Sequence, residues 1–154
     1  MAETIHGTAV LAGANGILVR GVSGAGKSSL AAALIERGAK LIADDRLHVA
    51  ARSGRLVASA PAAIAGQMEM RGRGIVRVTH ERSAVVRLVV DIVPGKEFER
   101  MPDAAQMSTE ICGITLPRQP VTGDLQKAVI LVRAALEAVS PHCNISLRPE
   151  QLWG

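Results

Sequence analysis

The residues with the clearest chemical potential form a glycine-rich stretch, Gly21 to Ser28. It fits the phosphate-binding pattern of a glycine, four residues of any type, and then Gly-Lys-Ser/Thr. Glycines let successive backbone N–H groups turn inward on a phosphate, while the lysine reaches the β- and γ-phosphates and the serine holds Mg²⁺. The residues expected to bind a nucleotide are Gly21, Val22, Ser23, Gly24, Ala25, Gly26, Lys27, Ser28 and Ser29.

The flanking sequence predicts the strand and the helix that such a loop needs. A short apolar strand, Ile17–Arg20, precedes it, and a run of helix formers, Ser28–Arg37, follows it. Gly38 stands where a helix-terminating glycine belongs. Upstream, we expect a strand over Thr8–Ala12 and a hairpin turn over Gly13–Gly16, because Asn-Gly is a strong turn signal. A hairpin ahead of the phosphate loop differs from the usual doubly wound arrangement.

Carboxylates at strand ends are the next candidates. Asp44 and Asp45 follow the predicted buried strand Lys40–Ala43. Asp commonly caps turns there, but a strand end beside a phosphate loop is also where a metal-linked or basic carboxylate belongs. Because adjacent side chains of a strand point to opposite faces, one Asp is free to face the nucleotide while the other faces a second substrate. Asp91, in the most strand-like run of the chain, competes with them as metal carboxylate.

A second polar stretch, Glu69–Gly74, combines a carboxylate, an arginine and glycines. As a structural feature it is a glycine-rich bend ahead of an alternating strand. As a functional feature it allows close backbone approach to a ligand, with Glu69 on a metal ion and Arg71 on phosphate. His6 stands alone in the sequence and, on that basis, is an ordinary surface histidine.

The rest of the chain predicts mixed strands and one long amphipathic helix. Pro117 and Pro120 are expected to stop the strand before them. The other predicted elements are a meander turning at Ser53-Gly54, a loop or short helical turn over Ala60–Gly66, a strand over Ser83–Pro94, an exposed polar segment over Gly95–Met101, a strand over Ile111–Pro117, a helix over Asp124–Val139 capped by Gly123 or Asp124, and an irregular tail over Pro141–Gly154.

Composition narrows the class of function. The 154 residues suit one domain, and 48% of them are hydrophobic, yet there is one Phe, one Trp and no Tyr, which disfavours stacking on nucleic-acid bases. The net charge is +4, from 18 Lys and Arg against 14 Asp and Glu, and the arginines are spread along the chain, which favours a solvated surface over a nucleic-acid groove. Cys112 and Cys143 lack metal-ligand spacing, and no signal peptide or membrane-length run is present, so we expect a cytoplasmic protein without membrane or nucleic-acid partners.

Several of these stretches together resemble the catalytic domain of the HPr kinase/phosphorylase family. The resemblance extends from about Ile5 to about Leu136, and the chain is similar to the short form found in alphaproteobacteria, which lacks the N-terminal domain of longer members. The stretch Glu69–Val76 is similar to the family signature Glu-Ile-Arg-Gly-Leu-Gly-Ile-Ile. The other stretches that carry the resemblance are His6-Gly7, Gly21–Ser28, Arg37-Gly38 and Leu41–Arg46.

The resemblance implies an α/β fold and an enzymatic activity. The expected fold is a phosphoenolpyruvate-carboxykinase-like P-loop domain, a mixed, partly barrel-like β-sheet with helices packed on it, over residues 1–140, followed by a tail over 141–154. The implied activity is ATP- and Mg²⁺-dependent phosphorylation of a serine of HPr or a related phosphocarrier protein of the phosphotransferase system. Many members also remove that phosphate with inorganic phosphate, and the family forms hexamers, which leaves open whether this short chain forms a homohexamer.

Residue roles follow from the resemblance by position. Ser28 and Glu69 would bind Mg²⁺, and Lys27 would hold the β- and γ-phosphates. Asp45 falls on the position of the base for phosphorylation and the acid for dephosphorylation, and Asp44 beside it stays open for metal or base chemistry.

Two further residues match family positions. His6 matches a histidine near the phosphates, and Arg100 matches the catalytic arginine. The loop tied to phosphorylase activity, Pro-Val-Arg-Pro-Gly-Arg in the family, aligns with residues 117–122, which keep one arginine out of register. Kinase activity is therefore the expectation, and phosphorylase activity stays open.

Two other functions remain open from the residues. One is a small-molecule kinase or other P-loop NTPase that uses Asp91 as metal carboxylate. The other is a sensor that binds ATP and a partner without turnover. A guanine-nucleotide switch is least favoured, because the sequence has no Asn-Lys-x-Asp motif.

Overall fold

Two helices pack on a curled, mixed β-sheet in the computed structural model, which describes residues 1–139. The expected tail over 141–154 lies outside the described residues. The strands are β1 Ala2–His6, β2 Thr8–Ala12, β3 Asn15–Arg20, β4 Lys40–Ala43, β5 Arg46–Arg52, β6 Arg55–Ser59, β7 Gln67–Met70, β8 Gly74–Arg77, β9 Ser83–Ile92, β10 Ser108–Ile111 and β11 Ile114–Val121, and the helices are α1 Lys27–Glu36 and α2 Leu125–Val139.

Strand β9 is the centre of the sheet. It pairs in parallel with β3 on one side, and β3 continues through β2 to β4. The first residues of β9 pair antiparallel with β6, which leads to β5 and β1, whereas its last residues pair in parallel with β11 and so with β10. Strands β7 and β8 form a separate hairpin. Strand β9 therefore changes its pairing partner along its length, and the sheet is curled. The expected mixed, partly barrel-like sheet is confirmed.

The sheet separates two apolar cores. Alternate residues of β3 point to opposite faces, so Ile17 and Val19 pack with the helices while Leu18 joins the other core. Every fully buried member of that second core comes from a strand, so the curl of the sheet itself buries them. The helix-side core also includes Leu30, Leu34, Val90, Val129 and Val132, and the other core includes Ile42, Leu47, Leu56, Val89 and Leu116.

The hairpin before the phosphate loop is present, but its turn is not at Asn-Gly. The two turn residues are Gly13, at φ 64°, and Ala14, while Asn15 and Gly16 already belong to β3. Gly16 is required for packing, because a Cβ there would lie 2.5 Å from the carbonyl oxygen of Val85. The pairing of β3 with β9 also shifts register at this point, which explains the close approach.

The expectation that prolines end the strand near residue 117 is wrong. Strand β11 continues through Pro117 and Pro120 to Val121. Its first half pairs with β10 and its second half with β9, so the paired halves do not overlap along the strand. A proline is tolerated in such a strand because its missing N–H can face the side that carries no ladder.

Both helices have the ends that the sequence predicts. Helix α1 stops with Gly38 at φ 107°, and the N–H groups of Gly38 and Ala39 bond back to Ile35 and Leu34 in the pattern of a glycine-terminated helix. Helix α2 begins after Asp124, whose side chain accepts from the N–H of Lys127 at 3.2 Å. Within the described residues, no helix is long and apolar enough to cross a bilayer.

Candidate active site

The chain between β3 and α1 has the backbone conformation expected of a phosphate loop. Gly24 and Gly26 have φ values of 82° and 106°, which only glycine adopts without strain, and Gly26 is the N-cap of α1. A Cβ on either would meet open space, so the requirement is one of backbone conformation. The loop therefore presents its own N–H groups and the unpaired N–H groups of the first turn of α1 to the same point.

Lys27 and Ser28 start α1 and lie at this loop. The Lys27 ammonium donates to the carbonyl oxygens of Gly21 and Val22 at 2.9 and 3.1 Å, which keeps its charge at the loop. The Ser28 hydroxyl donates to Asp44 Oδ1 at 2.7 Å. Because the proton of Ser28 is directed at Asp44, its oxygen lone pairs are left for a cation.

Asp44 is the hub of a buried polar network. Its side chain is nearly buried and accepts from Ser28, from the hydroxyl of Thr8 at 3.1 Å and from the backbone N–H of Glu69 at 3.1 Å. The network joins β2, α1, the end of β4 and β7. Thr8 is fully buried and is the residue that sequence reasoning missed; only its place directly after His6-Gly7 gave a signal.

Asp45 has different surroundings from Asp44. It is exposed, and its φ of 71° places it in the left-handed region. Backbone bonds fix this turn, because Gly7 N–H donates to the Asp45 carbonyl at 3.0 Å and Arg46 N–H to the Asp44 carbonyl at 2.9 Å. Asp44 is buried and Asp45 is exposed, and a left-handed turn at Asp45, not strand alternation, accounts for the difference.

Two adjoining cavities share Asp45 and Glu69. The first, of about 400 Å³, is lined by the phosphate loop and by Arg71. The second, of about 370 Å³, is lined by residues from β1, from the β4–β5 turn and from the β7–β8 hairpin, including His6 and Asp44. A larger groove, of about 600 Å³, lies along β1, β5 and β6 and contains no residue of the loop. We take the paired cavities as the site because they contain the phosphate loop and most of the predicted carboxylates.

The oxygen donors near the loop suit Mg²⁺. They are the hydroxyl of Ser28 and the carboxylates of Asp44, Asp45 and Glu69, all of the hard type that Mg²⁺ prefers. Within residues 1–139, no three His, Cys, Asp or Glu side chains form a cluster that would hold a metal unaided. Mg²⁺ is commonly held by one or two protein carboxylates together with nucleotide phosphates and water.

Comparison with known protein families identifies the group to which the chain is related. Residues 1–144 match the family described as HPr Serine kinase C-terminal domain. The chain belongs to this family. It is 35% identical over 147 residues to the HPr kinase/phosphorylase of Limosilactobacillus reuteri (strain DSM 20016), a match covering 87% of this chain and 46% of the relative. For the HPr kinase/phosphorylase of Geobacillus sp. (strain WCH70) the identity is 34% over 134 residues, covering 75% and 42%.

A solved member of the HPr kinase family has the same architecture. The structure of the Hpr(Ser) kinase/phosphatase from Coxiella burnetii superposes with a TM-score of 0.74 at 26% identity, covering 86% of this chain and 95% of that one. By contrast, the chain spans about half the length of the curated relatives that it matches.

In this member of the HPr serine kinase domain family, Asp91 is not placed to bind the metal. Arg20 Nε and Nη2 donate to its two oxygens at 2.7 and 2.8 Å, Arg118 Nε donates to Oδ2, and Asp91 lines neither cavity. Burial alone would raise the pKa of Asp91, but the hydrogen bonds and charges of Arg20 and Arg118 outweigh it and hold that pKa below its ordinary value. The expectation that Asp91 competes as metal carboxylate is thus corrected, because both oxygens are already engaged.

Arg100 is exposed and lies outside both cavities. It belongs to the connection from β9 to β10. Since β3 and β9 are parallel, this connection leaves the sheet at the same edge as the phosphate loop. The assignment of Arg100 as a catalytic residue of this family member stays a prediction.

Proposed function

We propose that the protein is an ATP- and Mg²⁺-dependent serine protein kinase acting on HPr or a related phosphocarrier protein. The observation that carries this proposal is that Asp45 and Glu69 line both the phosphate-loop cavity and the cavity beside it. In protein kinases a carboxylate placed between donor and acceptor accepts the proton of the acceptor hydroxyl. The relatives named HPr kinase/phosphorylase support the identity of the acceptor.

The phosphate loop and its neighbours would hold the donor. Loop N–H groups and the Lys27 ammonium would bind the β- and γ-phosphates of ATP. Ser28 and Glu69 would bind the metal, with Asp44 orienting the Ser28 hydroxyl through their 2.7 Å hydrogen bond. When bound, Mg²⁺ neutralises charge on the phosphates.

The second cavity would receive the acceptor serine. Asp45 would accept the proton of the serine hydroxyl as its oxygen bonds to the γ-phosphorus and the bond from that phosphorus to the β,γ-bridging oxygen breaks, releasing ADP. His6 lines the same cavity and would lie near the transferred group. Arg100 would offset the negative charge that develops there.

Transfer of radiolabelled γ-phosphate from ATP to purified HPr-like proteins tests the kinase proposal. Wild-type protein should label the acceptor on serine in the presence of Mg²⁺. Lys27→Ala should lower transfer by roughly a hundredfold or more, because the phosphates lose their positioned cation. Lys40→Ala is the matched control, since Lys40 is an exposed lysine paired with Glu81 away from the site.

The outcomes separate the remaining alternatives. Normal ATP binding without transfer to any phosphocarrier would overturn the kinase proposal and favour the ATP sensor. Transfer to a small molecule alone would favour the small-molecule kinase.

Removal of the phosphate by inorganic phosphate is a second candidate activity, favoured by the names of the relatives. Arg118, the arginine kept in the aligned loop, already donates to Asp91 and to the carbonyl of Gln106. An incoming phosphate would have to compete with these partners, so we expect phosphorylase activity well below kinase activity. Formation of pyrophosphate from inorganic phosphate and the phosphorylated carrier, with return of the free serine, measures it.

The proposed setting is the cytoplasm, where ATP is available, and the proposed assembly is the homohexamer that the family resemblance implies. Sedimentation equilibrium over a range of protein concentrations tests the assembly. A mass that stays at one chain of 16.1 kDa would contradict it.

A further inference from the structure

Among residues 1–139, the most connected group of charges outside the candidate site is built around Asp91. Arg20 and Arg118 hold its carboxylate from β3 and β11, the two parallel neighbours of β9. Arg20 Nη2 also donates to the Thr109 hydroxyl at 3.3 Å, and Arg118 Nη1 to the Gln106 carbonyl at 2.9 Å. None of these side chains lines either cavity of the site, so the proposed reaction leaves them without a role.

Segment 93–107 is held at both ends, by a backbone hydrogen bond at its start and by a contact of the Asp91 group at its other end. At the start, the N–H of Val93, two residues after Asp91, donates to the end of β11 at 2.8 Å. At the other end, the carbonyl of Gln106 accepts from Arg118, and β10 follows. Between these anchors the segment has only short 3₁₀ turns, and Arg100 is exposed. Its position therefore depends on how firmly the two ends are held.

The same group of charges touches the start of the phosphate loop. Arg20 directly precedes Gly21, where a Cβ would come within 3.3 Å of Ile92, the residue after Asp91. The side chain of Asp91 is 14% exposed, and it is the single carboxylate shared by the two guanidinium groups. Without its charge, two cations would face each other at the point where the loop and the segment meet.

We propose that Asp91, through Arg20 and Arg118, is a positioning residue that fixes segment 93–107 against the strand end from which the phosphate loop leaves. The effect of Asp91 on catalysis acts through Arg100 and therefore rests on the proposed function. The effect of Asp91 on the conformation of segment 93–107 does not depend on that function.

Hydrogen exchange tests the conformational part. In Asp91→Asn, amides of 93–107 should exchange roughly tenfold faster or more, because one anchor of a locally weak segment is lost. Amides of α1 should keep their wild-type protection. Glu81→Gln, which breaks the exposed ion pair with Lys40, is the matched control and should leave 93–107 unchanged. Wild-type exchange throughout 93–107 in Asp91→Asn would overturn the proposal.

Arg118→Gln provides a second route, which also covers the case in which Asp91→Asn does not fold. It removes the bond to the Gln106 carbonyl while leaving the Arg20–Asp91 pair intact. Faster exchange should then appear at the end of the segment, near residues 104–107. Unchanged exchange there would contradict the anchoring role of Arg118.

Kinetics distinguish positioning from a general loss of structure. Asp91→Asn should lower kcat by roughly tenfold or more through displacement of Arg100, and change the Kd for ATP by less than about threefold, because the backbone ladder still holds β3. Asp91→Glu keeps the charge and should restore most of kcat. An equal loss in kcat and in ATP affinity, without recovery in Asp91→Glu, would refute positioning. If wild-type protein transfers no phosphate, the kinase proposal fails while the exchange result still decides the anchoring.

Discussion

At the scale of residues, two adjacent carboxylates have unlike physical settings. Asp44 is nearly buried and accepts from three donors, whereas Asp45 is exposed and stands in a left-handed turn between two cavities. A buried, fully bonded carboxylate is suited to orienting a neighbour, and an accessible one to exchanging a proton with a substrate.

Paired substitutions test this division. Asp45→Asn should lower phosphoryl transfer by about a hundredfold or more with little change in stability, because Asn tolerates the left-handed conformation but is not a base. Asp44→Asn should cost about 1–3 kcal/mol of unfolding free energy, because its amide group would face N–H and O–H donors. Transfer assays and urea unfolding measure both effects. Full transfer by Asp45→Asn would reject it as the base.

At the scale of elements, the close contact of β3 with β9 fixes the position of the strand end at which the phosphate loop begins. Gly16 permits this contact, and Arg20 reinforces it through Asp91 at the other end of β3. The loop position thus depends on one strand pair that is held at both ends.

Gly16→Ala tests the contact. The added methyl group would meet the Val85 carbonyl at 2.5 Å in the middle of the sheet, so we expect a loss of about 1–3 kcal/mol or more in unfolding free energy. Gly95→Ala is the matched control, because a Cβ there meets nothing within 4 Å and no positive φ is involved. Equal stabilities of the two variants would show that β3 and β9 can shift apart freely.

At the scale of the whole molecule, the contacts of Asp91 join strands that are far apart in sequence. The charge of Asp91 makes the free energy of unfolding depend on pH. The folded-state pKa of Asp91 is lowered, so its contribution is complete above the ordinary value of 3.8 and is lost as the pH falls through the folded-state pKa.

Denaturant unfolding at two pH values measures this contribution. At pH 7, Asp91→Asn should be less stable than wild type by about 1–3 kcal/mol, because two arginines lose a charged partner. At acidic pH, below the ordinary value of 3.8, the difference should shrink, because the wild-type carboxyl takes up a proton as the pH falls through its lowered folded-state pKa. A difference that stays constant between these pH values would show that the charge of Asp91 does not stabilise the fold.

The sequence by itself determined the local features of this protein. The phosphate loop, the glycine that ends α1 and the Asp124 cap of α2 depend on backbone preferences within a few residues, so residue type and spacing were sufficient. The resemblance to the HPr kinase family also predicted the mixed, curled sheet.

Only the tertiary structure decided which distant groups meet. Asn15 and Gly16 lie inside β3, and β11 continues through its prolines. Asp91 pairs with Arg20 and Arg118 and is not placed to bind a metal. The tertiary structure also brought Thr8 to Asp44 and set Asp45 between two cavities. Each of these outcomes depends on strand pairing or side-chain contact between residues far apart in the chain, such as Arg20 and Asp91, and local preference carries no information about such pairs.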